Sequence, residues 1–497
     1  MPQYYLRVEG VNLGNVLDDT DDLSTRRGGG LMLLNAVGQL LTTLTPSELR
    51  TRLETVATGA SIGLFTLDAA GQADAEAVRA AVRAYFRTNS LRDGSGRQVL
   101  PLGHGTFVVD TVPVGNSPDE AFNLVVAANR WRQMRQPTVS LDGLFNQSIT
   151  ACYVDCVRPA ANRTLPKDST HPVSESVYQR HQYGRRARQQ FYADETGRDD
   201  LTFTDEFNDI GTHGGFRDVQ PPTNTADKLA VFYVDGNGFG EIGRRKLREG
   251  VAQYRAWSQG VRGHHCDILK KLLTVAEGDP TWRNGDALRL ETLLWGGDEI
   301  VWVVPAWKGW ELAKLFFRHE HVIEGEVVTY ACGLVFCHTK APIANVVKLA
   351  KRLGDAAKHA GKDTHRLAYE VLESFDDITS DFDEHRTNWL PKRPEADPAA
   401  LIFDPTRLTG LLSAMRAIAG DADFPTRQLH RLCKVWRTPE KFDDPVAVEA
   451  SALKRLRGSE GEAGSSFQAV EAAFDGRPVA WLHLLQMLPY LPAAVPA

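Results

Sequence analysis

The chain has 497 residues, of which 42% are hydrophobic and 24% are charged, and its formal net charge is −6. This composition is typical of a soluble globular protein, and the length predicts two to four domains. The net charge excludes a globally basic nucleic-acid-binding protein but leaves local basic surfaces open. No apolar run is long enough to span a membrane and no secretory signal begins the chain, so we expect a cytoplasmic protein without a membrane partner.

Residues 1–145 alternate strand-like and helix-like segments, which predicts an α+β domain. The expected strands are 4–8, 61–67 and 106–112, and the expected helices are 31–44, 75–86 and 119–134. Residues 146–226 are polar, with little sustained periodicity, and predict a connecting region with one short helix. That helix would carry four arginines, Arg180, Arg185, Arg186 and Arg188. Such a run indicates either a solvated face or a surface that contacts phosphate or RNA.

The connecting region also contains Cys152 and Cys156, followed by His171 and His181. These residue types bind zinc, but their spacing matches none of the common zinc knuckles. Two ordinary thiols are the simpler interpretation, and the sequence does not decide between the two.

A second α+β domain is predicted over residues 227–378, and a helical C-terminal domain over 400–497, after a proline-containing linker. The second domain should begin with a strand at 229–234 that is apolar on both faces, as in a central strand. The remaining expected elements are a hairpin from 290–295 and 299–304, a helix at 310–317, a strand at 327–336 and a helix at 342–360.

Two motifs in this second domain place carboxylates where metal-dependent phosphoryl transfer would need them. In YVDGNGFG, residues 233–240, Asp235 ends the buried strand and glycines follow it. In WGGDE, residues 295–299, Asp298 and Glu299 lie at the tip of the hairpin. Each motif alone is compatible with an ordinary turn. Neighbouring strands of one sheet could bring Asp235 beside Asp298, and Mg²⁺ favours such oxygen ligands.

A third motif, AKHAGK at residues 357–362, places Lys358 at the end of a helix and Lys362 just after a glycine turn. Two ammonium groups in this position could meet a triphosphate. The alternative is that both are ordinary surface lysines. The order of the three motifs along the chain instead favours a common site that contains all three.

Together the three motifs resemble the GGDEF-like palm domain of the large signature subunit of type III CRISPR effector complexes. The HTKAPI stretch at residues 338–343, which opens the last helix, belongs to the same resemblance. The resemblance implies two ferredoxin-like palm domains, the first degenerate and the second catalytic. It also implies a nucleotidyltransferase that condenses nucleoside triphosphates, usually ATP, into cyclic or linear oligonucleotide messengers with two Mg²⁺ or Mn²⁺ ions.

Carried over by position, the resemblance assigns metal binding to Asp235, the Gly236 carbonyl and Asp298, and makes Glu299 the second acid of the hairpin. Lys358 and Lys362 would hold phosphates. The turn residues that would contact nucleotide are Gly236, Asn237, Gly238, Phe239, Gly240, Gly296 and Gly297. Two nucleotides must meet, which requires either a homodimer or a second pocket within the chain.

The N-terminal domain contains a similar strand, RVEGVNLG at residues 7–14, in which Glu9 aligns with Asp235 and Gly10 with Gly236. We align its later segment LGHGTFVVD, residues 102–110, with the catalytic hairpin, so that His104, Gly105 and Thr106 replace the acids. This predicts a pseudo-palm that packs on the active palm or presents nucleotide to it.

Two other functions stay open. One is a catalytically silent scaffold that binds nucleotide or RNA within an effector complex. The other is a diguanylate cyclase, which shares the GGDE and AKxxGK motifs more distantly. The best-known diguanylate cyclases have Asp where this chain has Asn237 and Arg where it has Leu294, so guanine specificity lacks support.

Overall fold

The computed structural model describes residues 3–59, 61–92, 96–136, 150–214, 216, 221–373, 382–388, 390–391 and 398–491. The domain boundaries predicted at 145 and 378 lie outside these ranges. No helix in the described part of the chain is long and apolar enough to cross a membrane.

The N-terminal unit is a four-stranded antiparallel sheet with helices packed against it. Its elements are β1 (Gln3–Val11), α1 (Gly14–Leu17), α2 (Leu23–Gly38), α3 (Leu40–Thr43), β2 (Leu53–Thr58), β3 (Ile62–Asp68), α4 (Gln72–Thr88), β4 (Ser90–Arg92), β5 (Gln98–Pro101), β6 (Thr106–Pro113) and α5 (Pro118–Gln133). The sequence interpretation missed β2 and began α2 eight residues too late. Asp22 caps α2 by accepting a hydrogen bond from the Thr25 amide at 2.8 Å, which fixes the earlier start.

The region between the two sheets is more ordered than the sequence suggested. It contains α6 (Glu175–Thr196) and α7 (Phe207–Gly211). Helix α6 spans 22 residues and packs closely on α2. A Cβ on Gly28 would overlap the Arg180 carbonyl, and a Cβ on Gly184 would overlap the Ser24 carbonyl. Glycine is therefore required at both positions for the two helix backbones to approach each other.

The second unit is built on a six-stranded sheet with the order β10-β11-β7-β14-β15-β16. Its elements are β7 (Lys228–Gly236), α8 (Phe239–Glu249), α9 (Val251–Gly278), β8 (Arg283–Asn284), β9 (Ala287–Leu288), β10 (Glu291–Trp295), β11 (Glu299–Pro305), α10 (Gly309–Arg318), β12 (Val322–Ile323), β13 (Glu326–Val327), β14 (Tyr330–His338), α11 (Ile343–His359) and β15 (Arg366–Val371), joined later in the chain by β16 (Ile402–Phe403). Strand β7 lies near the centre and is buried on both faces, as its apolar sequence predicted.

The C-terminal region is helical, as expected. It contains α12 (Phe382–Thr387), α13 (Leu408–Gly420), α14 (Thr426–Arg437), α15 (Pro445–Arg457), α16 (Glu462–Ala473) and α17 (Val479–Met487). These helices bury Trp481, Leu484 and Met487 in a hydrophobic core that is continuous with one face of the six-stranded sheet. Burial of this apolar surface joins the C-terminal helices to the second unit.

The two sheets share one topology. In each, the second, third, first and fourth long strands lie side by side: β2-β3-β1-β6 in the first and β10-β11-β7-β14 in the second. This is the order of a ferredoxin-like βαββαβ unit. The hairpin β2–β3 therefore occupies in the first unit the place that β10–β11 occupies in the second.

A buried ion pair ties the two units together. The guanidinium of Arg27 on α2 forms a bidentate contact with the Glu291 carboxylate on β10, with Nε to Oε1 at 2.7 Å. Both side chains are about 98–99% buried. Arg188 of α6 lies 3.5 Å from the same carboxylate. Two helices from separate parts of the chain thus bring arginines to one acid of the second sheet.

Candidate functional site

The candidate site lies where β7 ends beside the turn of the β10–β11 hairpin. Asp235 is directly opposite Glu299 in the antiparallel register of β7 and β11. The Gly236 amide donates to the Asp298 carbonyl at 3.0 Å, and the Gly296 amide closes the turn on the Glu299 carbonyl at 2.7 Å. The strand end and the hairpin tip therefore meet, as the two motifs predicted.

Glycine is needed at the end of β7 because the next helix folds back over it. A Cβ on Gly236 would overlap the ring of Phe239, the first residue of α8. Gly238 has φ of 70°, in the left-handed region that favours glycine. Gly240 has open space around its α-carbon. These glycines bring the N-terminus of α8 close to the carboxylates, an end that favours anions.

The two aspartates of the site have raised pKa values. Burial, together with the neighbouring Asp235 and Glu299, raises the pKa of Asp298 to about 6. Burial likewise raises the pKa of Asp235, although the ammonium of Lys358 opposes that shift. Carboxylates held together out of water disfavour their shared negative charge unless a cation joins them.

Lys358 supplies such a cation in this structure. Its Nζ donates to Oδ2 of Asp235 and to the Gly236 carbonyl at 3.3 Å. Both acceptors belong to the predicted metal ligand set, so the oxygens converge on a positive charge. The buried Oδ1 of Asn237, beside them, has no hydrogen-bond partner among the described residues. The donor set consists of hard oxygens and suits Mg²⁺ or Mn²⁺.

No group of three His, Cys, Asp or Glu side chains within the described ranges could hold a metal ion. The predicted palm set differs in kind, since it combines two carboxylates with a backbone carbonyl. In the connecting region, Cys152 is buried and Cys156 is exposed, and both are free thiols. His171 and His181 instead pair with Asp168 and Asp22.

Glu299 faces different partners from the two aspartates. Its Oε1 accepts hydrogen bonds from the Tyr233 hydroxyl at 2.8 Å and from Nζ of Lys351 at 2.9 Å. Sequence reasoning missed both partners. Their positions, two residues before Asp235 on the strand and one heptad before Lys358 on α11, could have indicated them, because residues at these spacings share one face.

The second predicted lysine lies at the rim. Lys362 is exposed, and its carbonyl accepts from the Thr329 hydroxyl at 2.6 Å. The same hydroxyl accepts from Nδ2 of Asn237 at 3.0 Å. This chain of contacts holds the AKHAGK turn against the end of β7. Its role in phosphate binding stays a prediction.

Equivalent hydrogen bonds correct the predicted alignment of the N-terminal unit. The Gly10 amide donates to the Ser61 carbonyl at 2.7 Å, and the Gly59 amide donates to the Ile62 carbonyl at 2.8 Å. These bonds reproduce those of Gly236 and Gly296. Ser61 and Ile62 therefore occupy the places of Asp298 and Glu299, and Glu9 occupies that of Asp235, as predicted.

The assignment of His104, Gly105 and Thr106 to the hairpin was wrong. Those residues precede and begin β6, which is the counterpart of β14. The error arose because residues 102–110 resemble the motif in letters, whereas strand pairing follows register and topology.

Glu9 lies in a different electrostatic setting from Asp235. It forms ion pairs with Arg7, two residues earlier on β1, and with Nη2 of Arg130 on α5 at 2.8 Å. Arg130 comes from the helix that follows the fourth strand, as Lys358 does in the second unit. Two guanidinium groups neutralise a single acid that has no carboxylate partner at Ser61.

The two strand ends face each other across one cleft cavity of about 1430 Å³. Its walls include Glu9 and Ser61 from the first unit, and Asp298 and Glu299 from the second. Arg244 of α8 also lines it, and sequence reasoning missed this residue. The space is large enough for more than one small ligand, since single-ligand sites commonly measure about 300–1,000 Å³.

Only part of the arginine helix in the connecting region is exposed and could form the basic surface that the sequence left open. Arg180 is fully buried and pairs with Asp19, and Arg188 is buried beside Glu291. Arg185 and Arg186, in contrast, are both exposed. Half of the predicted cluster therefore stabilises the junction of the two units.

The fold and the paired strand ends define a protein with two ferredoxin-like units around a shared cleft. No protein-family model and no curated protein matches the sequence. Solved structures of Csm1 do match. A Csm1–Csm4 cassette in complex with one ATP gives a TM-score of 0.57 at 15% identity, over 99% of this chain and 70% of that chain.

The cassette in complex with pppApApA gives a TM-score of 0.56 at 14% identity, over 98% of this chain and 69% of that chain. Csm1 in T.onnurineus gives 0.52 at 14% identity, over 99% and 70%. The chain therefore has the fold of Csm1, a large subunit of type III CRISPR effector complexes. The shared fold confirms the resemblance to the large subunit of type III CRISPR effector complexes that the motifs indicated.

Proposed function

We propose that the second unit is a nucleotidyltransferase palm that condenses nucleoside triphosphates, ATP foremost, into cyclic or linear oligonucleotides. The observation that carries the proposal is that Asp235 and the Gly236 carbonyl hold one ammonium group, with Asp298 beside Asp235 at the wall of a nucleotide-sized cleft. Csm1 structures with ATP, pppApA, cA3 and cA4 support the choice of substrate and product.

In this proposal Asp235, Asp298 and the Gly236 carbonyl would hold two Mg²⁺ or Mn²⁺ ions. Such ions, when bound, lower the pKa of a ribose hydroxyl and stabilise the departing pyrophosphate. The ammonium of Lys358 then leaves Asp235 and meets a phosphate, and Lys362 at the rim adds a second positive charge. Glu299, held by Tyr233 and Lys351, orients the hairpin tip.

The second nucleotide would lie on the N-terminal unit, across the cleft from the carboxylates. Glu9 is already neutralised by Arg7 and Arg130, and Ser61 supplies a hydroxyl in place of a carboxylate. This arrangement suits the binding of a ribose or base and lacks the charge to hold two divalent ions. A pocket within the chain makes a homodimer unnecessary for pairing two nucleotides.

The test is turnover of labelled ATP with Mg²⁺ or Mn²⁺, followed as pyrophosphate release and as a phosphodiester product. The isosteric change Asp298→Asn should lower the rate roughly a thousandfold, because it removes about 4 kcal/mol of transition-state stabilisation. The matched control is Asp286→Asn, an exposed acid in the β8–β9 turn of the same unit. An unchanged rate in the Asp298 variant would refute the proposed site.

The same assay with all four triphosphates separates ATP use from diguanylate cyclase activity, which would yield product from GTP alone. It also addresses the silent scaffold, which would bind nucleotide or RNA without product. Burial of Arg180 and Arg188 removes much of the basic surface on which the scaffold hypothesis rested. A role in CRISPR-linked antiviral defence, with other effector subunits or RNA as partners, follows only from the likeness to Csm1.

A further inference from the structure

A second cavity lies between the palm unit and the C-terminal helices. It has a volume of about 550 Å³ and is lined by α9, α10 and α13, with no lining residue in common with the cleft. Val275 and Leu315 give it an apolar strip. Cationic side chains, one from α9, two from α10 and one from α13, make up most of the remaining wall: Lys271, Lys314, Arg318 and Arg416.

Three of these cations lack a direct partner among the described residues. Lys314, Arg318 and Arg416 form no side-chain hydrogen bond or ion pair with any residue that the structure describes. The buried Nε of Arg416 in particular lacks an acceptor. Glu311 is the one acid among the described lining residues, and its carboxylate is already paired with Lys308 at 3.0 Å.

The cations also act on one another. Burial lowers the pKa of Lys314, and the neighbouring Arg416 and Arg318 also lower it, although Glu311 opposes the shift. Like charges held together in a concave, partly desolvated site raise the energy of the protein, and a bound anion relieves that repulsion. Scattered surface lysines would be separated by solvent, whereas these side chains converge from separate helices on one space.

The imidazole of His319 is also part of the cavity wall. The Lys271 ammonium donates to Nδ1 of His319 at 2.9 Å, so Nδ1 acts as the acceptor and Nε2 carries the ring proton. The site therefore offers cationic donors, a neutral N–H donor and an apolar strip. Acidic partners with a single carboxylate would leave most of these donors unused, whereas phosphate groups present several acceptor oxygens each.

We propose that this cavity is a second, metal-independent site for a ligand that carries several phosphate groups. Its volume fits one nucleotide or a short stretch of nucleic-acid backbone. The shared chemistry is phosphate, supplied either by a free nucleotide or by the phosphodiesters of a single-stranded oligonucleotide. This site is independent of the proposed palm chemistry, because it uses neither the carboxylates nor the cleft.

The test measures binding of two probes, a fluorescent ATP analogue and a labelled RNA octamer, to the full chain in EDTA. Lys314→Gln/Arg318→Gln should weaken binding of at least one probe tenfold or more. For the octamer it should also reduce the salt slope by about 1.4, since each phosphate contact contributes about 0.7 for single strands. The control Lys454→Gln/Arg455→Gln removes the same charge from exposed positions on α15.

Loss of octamer binding alone identifies oligonucleotide backbone as the ligand, loss of the ATP analogue alone identifies free nucleotide, and loss of both supports the shared phosphate chemistry. Equal affinities of wild type, variant and control for both probes, or no binding by wild type, would overturn the site. Unfolding in urea checks the variant: removing unpaired like charges should leave its stability equal or higher. EDTA keeps this result separate from the palm, whose failure would appear only in the turnover assay.

Discussion

The backbone of Gly236 contacts two neighbouring side chains, Lys358 and Phe239. Its carbonyl contacts the Lys358 ammonium at 3.3 Å, and its α-carbon lies against the ring of Phe239. The aromatic ring covers the strand end on the side of α8 and packs on Trp257 and Tyr330 as well. A side chain at position 236 would displace the ring and with it the first turn of α8.

Gly236→Ala should therefore destabilise the protein by about 1–3 kcal/mol, the usual cost of overpacking a closely packed site. The measurement is the free energy of unfolding in urea. Gly240→Ala, in the first turn of α8, is the matched control, because its added methyl group meets open space. We expect this variant to be as stable as wild type or up to about 1 kcal/mol more stable, since Ala favours a helix over Gly. Equal stability of the two variants would contradict the packing argument.

Among the elements, α8 contributes more to the cleft than its motif alone indicated. Its N-terminus follows the glycine turn, and Arg244, one turn further on, lines the cavity. Arg244 forms no ion pair with a described residue, whereas its neighbour Arg245 pairs with Glu326 at 2.7 Å. A helix N-terminus and an unpaired guanidinium together form a place for phosphate oxygens.

Arg244→Gln should raise KM for ATP about tenfold with a smaller change in kcat, since a charge-assisted hydrogen bond contributes about 1.5–3 kcal/mol. Steady-state kinetics of pyrophosphate release checks this. Arg245→Gln makes the same charge change on the face that meets Glu326, so its KM should stay near the wild-type value. If both variants behave alike, α8 acts through overall charge and not through Arg244.

At the scale of the whole molecule, buried histidines make stability depend on pH. Burial, together with neighbouring histidines, lowers the pKa of His264 to about 4, of His265 to about 3 and of His321 to about 2. Nε2 of His264 and Nδ1 of His321 are 3.1 Å apart. The folded state keeps these rings neutral, whereas the unfolded chain binds protons near pH 6.5.

Stability should therefore be fully present above about pH 6.5 and should fall as the pH drops from 6.5 through about 4, because the unfolded state binds more protons. Urea midpoints at pH 7 and pH 5 measure the difference. His264→Gln/His321→Gln should narrow the gap between the two midpoints. Changing the exposed His430 on α14 to Gln should leave it as in wild type, and an unchanged gap in the double variant would refute the assignment.

The sequence by itself determined the local chemistry: the buried strand ending in Asp235, the Gly-Gly hairpin with Asp298, the lysine turn and a helical C-terminus. Each depends on short-range features, namely apolar periodicity, turn residues and helix signals, which can be recognised in the sequence alone. Contacts distant in sequence were decided only by the tertiary structure. Ser61 replaced the predicted His104–Thr106 segment because strand order, not similarity of letters, determines which turn faces Glu9. Arg180 and Arg188 of α6 became buried, and Arg244, Arg318 and Arg416 came to line cavities. Tertiary packing determines which polar side chains find a partner and which face a cavity.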